Sequence, residues 1–191
     1  VSEEHPKQRL PARADAPRRL IVGSGYVDDD GSADDELFAE LTAWADRSTS
    51  YPAVLAALAG ARLLVPVVAL LGEVEYDDAG LARDKSSDMA AVLLTRPDGM
   101  RALLAFSSTG ALARWDPDAR PVPVAASLAA ATAVQEGADA LVVDVGGTAP
   151  LTVSGDDLHR LAAGWRPVRL PDATWAWAGT VEDSRDEEQL R

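Results

Sequence analysis

MAAVLLT (89–95), RPDG (96–99) and MRALLAF (100–106) lie end to end, and their reading decides the fold. Two apolar runs of strand length flank a four-residue break. Pro97 presets φ, Asp98 supports a turn through its side chain, and Gly99 tolerates a positive φ. The pattern predicts an antiparallel hairpin with Met89–Thr95 and Met100–Phe106 as its arms.

Other elements are read outward from that hairpin. Toward the C-terminus, Ser107-Ser108-Thr109-Gly110 predicts the start of a short helix through Trp115, ended at Asp116-Pro117. A helix over Ala125–Glu136 stops at Gly137, and a strand over Ala140–Val145 runs into Gly146-Gly147. Leu151–Val153 suits another short strand. Ser154 and Asp157 suit the cap of a helix carrying Leu158, Leu161 and Ala162, and Pro167–Leu170 a further strand. Trp175 and Trp177 alternate beyond it, so they share one side of an extended segment. Toward the N-terminus, Leu63–Leu71 is almost wholly apolar and predicts a buried strand. Pro66 inside it predicts an edge position or a bulge, because proline donates nothing to a ladder. Two helices precede it, one capped by Ser32 with Asp35 three residues on, the other opened by Ser50 and Pro52 and stopped by Gly60.

Helices and strands are thus mixed, and the clear adjacent strand pair is a hairpin. The expected class is α+β: a mixed or antiparallel sheet with a central hairpin, packed by several short helices. Hydrophobic residues form 47% of the 191, enough for one domain with a core. That domain is expected over 32–178. Residues 1–31 carry three prolines and many charges and read as a disordered tail; 179–191 carry five acids against two bases and read as a second, acidic one.

Composition narrows the chemistry. With no cysteine, disulfides, thiolate nucleophiles and zinc knuckles are excluded. No run of about 18 apolar residues is present to span a membrane, and the basic N-terminal stretch has no apolar segment behind it to make a signal peptide. A cytoplasmic protein is expected. A net charge of −13 opposes direct binding of nucleic acid. Eight acids and no bases fall between Asp28 and Asp46. Such a stretch serves solubility, or forms a docking face for a basic partner.

No catalytic constellation emerges. Asp144-Val145-Gly146-Gly147-Thr148 has the look of a phosphate loop, but only 43 residues follow it where a nucleotide-binding lobe would have to stand; a strand ending in a turn is the plainer reading. Gly23-Ser24-Gly25 lacks the rest of a dinucleotide fingerprint. Asp28-Asp29-Asp30-Gly31 lacks the alternation of a calcium loop and reads as acidic linker. His159 beside Asp156-Asp157 has no nucleophile elbow to serve and reads as an exposed helix residue. With two histidines in all, a transition-metal site is not expected, and no cofactor is implied. The remaining candidate contacts are Ser108, Thr109 and Gly110 at a helix start; Lys85, Ser86 and Ser87 in the polar loop before the hairpin; and Trp115, Trp175 and Trp177 as aromatic surface.

Leu63-Leu64-Val65-Pro66-Val67, the run from Ala102 through Ser107-Ser108 to Leu112 and Trp115, and Ala140–Asp144 leading through Leu151 to Leu158 and Leu161, together with Lys85–Met89, resemble the SseB family N-terminal domain in its actinobacterial form, over roughly 50–170. The chain departs from that pattern at Asp144-Val145, where the family often carries Asn-Pro. The resemblance implies no established reaction and no cofactor. In actinobacteria such proteins are encoded near translation initiation factor three. Three functions follow as expectations: a non-catalytic module that binds another protein, a small-ligand sensor or minor enzyme of amino-acid metabolism, and a translation-associated accessory factor.

Overall fold

The structure is a computed structural model that describes Tyr26, residues 29–70 and residues 88–179. Lys85, Ser86 and Ser87 lie outside the described residues, as do most of both tails. Helix α1 (Asp35–Ala45) and α2 (Tyr51–Gly60) lead into β1 (Arg62–Leu70). Strands β2 (Asp88–Ala91), β3 (Leu93–Thr95) and β4 (Arg101–Ala105) follow, then α3 (Thr109–Trp115), β5 (Arg120–Ala125), α4 (Ala126–Gln135) and β6 (Ala140–Val143). The chain continues through β7 (Leu151–Ser154) and α5 (Gly155–Ala162) to a hairpin of β8 (Arg166–Arg169) and β9 (Trp175–Ala178). The fold is α+β, with mixed and antiparallel sheets.

One sheet has the order β2-β1-β5, antiparallel throughout; a second has the order β3-β4-β6-β7, in which β4 and β6 are parallel. Both faces of the central strands are covered, which is why they read as unbroken apolar runs. Side chains alternate across a strand. Leu63, Val65, Leu103, Ala105, Leu141 and Val143 accordingly join the main core with α1, α2, α4 and α5. Leu64, Leu104 and Phe106 face the other way, onto Ala111 and Leu112 of α3. Helix α4 lies against this core with Ala126, Ala129, Ala130 and Ala133 fully buried; alanine contributes little area but lets a backbone approach closely.

The expected hairpin is present as β3–β4, with Leu93 opposite Leu103 and Thr95 opposite Arg101. Its turn has Gly99 at φ 89° and closes with the Gly99 N–H donating to the Arg96 carbonyl at 2.9 Å. The first arm, however, is divided. Its earlier half is β2, which pairs with β1.

Pro66 explains the division and corrects the edge-or-bulge expectation, since β1 is the central strand of its sheet. The β1–β2 register, continued by one residue, sets Val92 against Pro66. The Val92 N–H donates to the Pro66 carbonyl at 3.1 Å. An ordinary residue at 66 would return a bond from its own N–H to the Val92 carbonyl. Proline leaves that carbonyl unclaimed, and it accepts from the Leu104 N–H of β4 at 3.3 Å. Residue 92 is therefore where the segment passes from β1 to β4, and Leu64 and Phe106 bridge the two sheets directly beside it.

Two further expectations are corrected. Asp34, not Ser32, caps α1: its carboxylate accepts from the Leu37 N–H at 3.0 Å, while Ser32 bonds to Asp30. Strand β6 ends at Val143 and not at Val145, because Asp144 takes a φ of 55°, which terminates the extended run. Strand β5 was not legible in the sequence at all. Pro121 and Pro123 argue against a strand, yet β5 pairs with β1 along its whole length. The pair Pro66–Pro121 is of the non-hydrogen-bonded kind, since Pro66 directs its carbonyl to Val92. Pro121 and Pro123 thus turn their donor-free nitrogens to the outer edge, where proline costs nothing and blocks pairing with another strand.

Candidate functional site

In sheets with parallel strands, sites form beyond the carboxyl ends of those strands, where the chain leaves in different directions. Here β4 and β6 form the parallel pair. Strand β4 runs out into Phe106, Ser107 and Ser108 and on to α3; β6 runs out into the turn at Asp144–Thr148.

At that point Ser107 and Asp144 meet. The Asp144 carboxylate accepts from the Ser107 N–H at 2.8 Å and from its hydroxyl at 2.7 Å, and Ser107 is 4% exposed. The left-handed φ of Asp144 sets its side chain toward β4; Asp tolerates that conformation better than most residues. The Gly147 N–H donates to the Asp144 carbonyl at 2.8 Å, so the glycine pair forms a turn closed by its own backbone, as its plainer sequence reading expects. Gly146 lies against the backbone of Trp115.

The hydroxyls at the start of α3 are likewise engaged within the protein. Ser108 caps the helix, its oxygen accepting from the Ala111 N–H at 3.1 Å. The Thr109 N–H and hydroxyl both donate to the Gly31 carbonyl, at 2.8 and 3.2 Å. Gly31 is held there because Arg62 pairs with Asp29 at 2.5 Å and donates to the Ser32 carbonyl and, at 3.2 Å, to that of Ser107. Asp29–Gly31, read from sequence as part of an acidic linker, thus form with Ser32 a strap across the start of α3. Gly110 follows, with the Ser108 hydroxyl and the Arg114 guanidinium in ordinary van der Waals reach of a side chain placed there.

Beside these groups a cleft of about 340 Å³ opens between α1 and the two strand ends. Phe38 and Leu41 form one wall; Ser108, Arg114, Asp144 and Thr148 form the other. Phe38 is 63% exposed, the most exposed of the large apolar residues in the described part of the chain.

The three tryptophans part company. Trp115 is half-buried and stacks on Phe106, centroids 5.4 Å apart, as part of the smaller core. Trp175 and Trp177 are half-buried on the same side of β9, and together with Tyr51 and Asp157 they line a second cavity of about 200 Å³. Tyr51 titrates far above its ordinary value, pushed up to about 12 by burial first and then by the nearby Asp157 carboxylate. His159 is exposed. Among the described residues no three His, Cys, Asp or Glu side chains come together to hold a metal ion, and no helix is long and apolar enough to cross a membrane.

Residues 37–160 match the model of the SseB protein N-terminal domain. The chain belongs to the SseB family. The match runs from α1 to α5, so the family domain contains the Ser107–Asp144 junction and the whole cleft beside it, whereas the β8–β9 hairpin and the Asp29–Ser32 strap lie outside it. No curated protein and no solved structure matches the chain.

Sequence reasoning singled out Ser108, Thr109 and Trp115, and its reading of Ser107–Gly110 as a helix start agrees with the Ser108 cap. It missed Phe38, Arg114 and the joining role of Asp144. An exposed phenylalanine in an amphipathic helix carries a weak signal, and the Ser107–Asp144 contact spans 37 residues of chain.

Proposed function

We propose that this domain is a non-catalytic interaction module that docks a protein segment in the cleft between α1 and the ends of β4 and β6. The observation that carries this reading is the division of labour at the cleft. The hydroxyls of Ser107 and Ser108 and the inner carboxylate of Asp144 are hydrogen-bonded to the protein itself, while Phe38 stands exposed at the lip. Groups already satisfied are poor nucleophiles or bases, whereas an exposed aromatic beside a concave surface is what an anchoring side chain fits. The segment expected is apolar with flanking lysine or arginine, because α1 presents exposed Asp34, Asp35, Glu36 and Asp46. The small-ligand reading draws on one observation, that the volume of the cleft falls at the lower end of the range of about 300–1,000 Å³ usual for such sites.

Isolation of the full chain in low salt from the cells that encode it, as wild type and as Phe38→Ser, tests the proposal. Expected is a stoichiometric protein that rebinds purified wild-type chain, releases as salt rises and fails to bind the variant. A tightly bound small molecule with no protein would overturn it.

A further inference from the structure

We infer that the second cavity, enclosed by α2, α5 and the β8–β9 hairpin, binds an alkylammonium head group. Its walls are aromatic. Trp175 and Trp177 stand side by side on one face of β9, in register with Arg169 and Pro167 of β8. Tyr51 of α2 faces them, its ring backed by Trp44 at 6.2 Å between centroids. Leu55 and Pro167 complete an apolar lining. One full charge is present in that lining, the Asp157 carboxylate, whose side chain is 31% exposed.

Aromatic faces are electron-rich and attract cations, and an ammonium bearing methyl groups suits such walls because it needs few hydrogen-bond acceptors. A carboxylate supplies the counter-charge. The same surface already holds a cation of the protein's own: the Arg160 guanidinium lies 5.7 Å from the centroid of the Trp177 ring while pairing with Asp157 at 3.3 Å. Arg160 therefore shows that the ring takes positive charge, and its anchorage to Asp156 and Asp157 fixes it at one side of the cavity. A volume of about 200 Å³ is small for a drug-sized molecule but ample for a single head group. An anion would meet Asp157 and a chain of net charge −13. A hard metal ion would find a single carboxylate in the lining, far short of the six or more oxygens that calcium takes. Trp175 and Trp177 lie beyond the matched family domain, whereas Tyr51, Leu55 and Asp157 lie within it, so the C-terminal hairpin completes the site on a wall that the family domain supplies. It does not rest on the α1 cleft.

The test is a titration of the full chain followed by the indole N–H signals of Trp175 and Trp177, each assigned by its Trp→Phe variant. The probes are choline and its uncharged isostere, in which carbon replaces nitrogen. Expected are saturable shifts of both indoles with choline, with the isostere roughly tenfold weaker and a loss of similar size for choline in Asp157→Asn. That variant keeps the shape of the site should a Trp→Phe change disturb the hairpin. Equal binding of the isostere, no binding of either, or undiminished binding to Asp157→Asn would each overturn the inference. A peptide carrying trimethyllysine, compared with its lysine form, separates the sources: preference for the methylated peptide over choline assigns the head group to a protein side chain, and the reverse to a free small molecule.

Discussion

Asp144→Ala removes both hydrogen bonds that join the end of β6 to the end of β4. The Ser107 N–H and hydroxyl are left in a site 4% exposed. Hydrogen bonds to an ionised group are each about 1.5–3 kcal/mol. Alanine at a φ of 55° adds about 1 kcal/mol, since its Cβ crowds the following carbonyl in that region. Water entering from the open side of the cleft offsets part of the loss, leaving a net cost of about 3–5 kcal/mol. Asparagine, by contrast, tolerates the same φ and retains an acceptor for the N–H, while the Ser107 hydroxyl can rotate to accept from the new amide. Asp144→Asn is expected to cost under about 1.5 kcal/mol, with Ser107→Ala between the two. The assay is urea unfolding followed by circular dichroism. At a slope of about 2 kcal/mol per molar, Asp144→Ala lowers the midpoint by about 2 M. An alanine variant within about 1 kcal/mol of wild type, or an asparagine variant as unstable as the alanine one, would refute the reasoning, because the junction would then owe nothing to these bonds.

Two further outcomes follow from other parts of the fold. Pro121→Thr with Pro123→Thr restores two N–H donors on the outer edge of β5 and is expected to make the chain associate with rising concentration in sedimentation velocity; unchanged sedimentation would contradict the edge-blocking role. Tyr51 has a folded-state pKa raised above its unfolded value of 10.0 to about 12, so the folded chain holds its proton where the unfolded chain has released it. Its contribution is present in full below pH 10 and is lost as pH rises toward 12. Stability measured across that window should fall in the wild type and fall less in Tyr51→Phe, and parallel curves would show that the tyrosine is not the group responsible.

Much of the fold follows from local rules that need no distant partner. The turn at Arg96–Gly99, the stop at Gly137 and the apolar runs of β1, β4 and β6 are each set within a few residues of sequence, and the mixture of elements is sufficient for the α+β class. The absence of cysteine and the net charge are properties of composition alone, and the classes of chemistry they exclude hold for any fold the chain adopts.

Tertiary structure decided the rest, and in each case because one group's role depends on what stands opposite it. Pro66 argues for an edge strand when only its missing donor is considered; in the folded chain that missing donor frees the Val92 carbonyl for β4 and splits one apolar run between two sheets. Pro121 and Pro123 hide β5 from any local rule, because their tolerance depends on which edge their nitrogens face. Ser108 and Thr109 resemble an open anion site until the strap at Gly31 and the capping bond to Ala111 are seen to occupy them. Asp144 passes for a turn residue until its carboxylate meets Ser107. Hydrogen-bond satisfaction is a pairwise property, and the partners of Asp144 and Thr109 stand 37 and 78 residues away in sequence, which is why composition and periodicity describe the elements of this protein while only their packing assigns its surfaces.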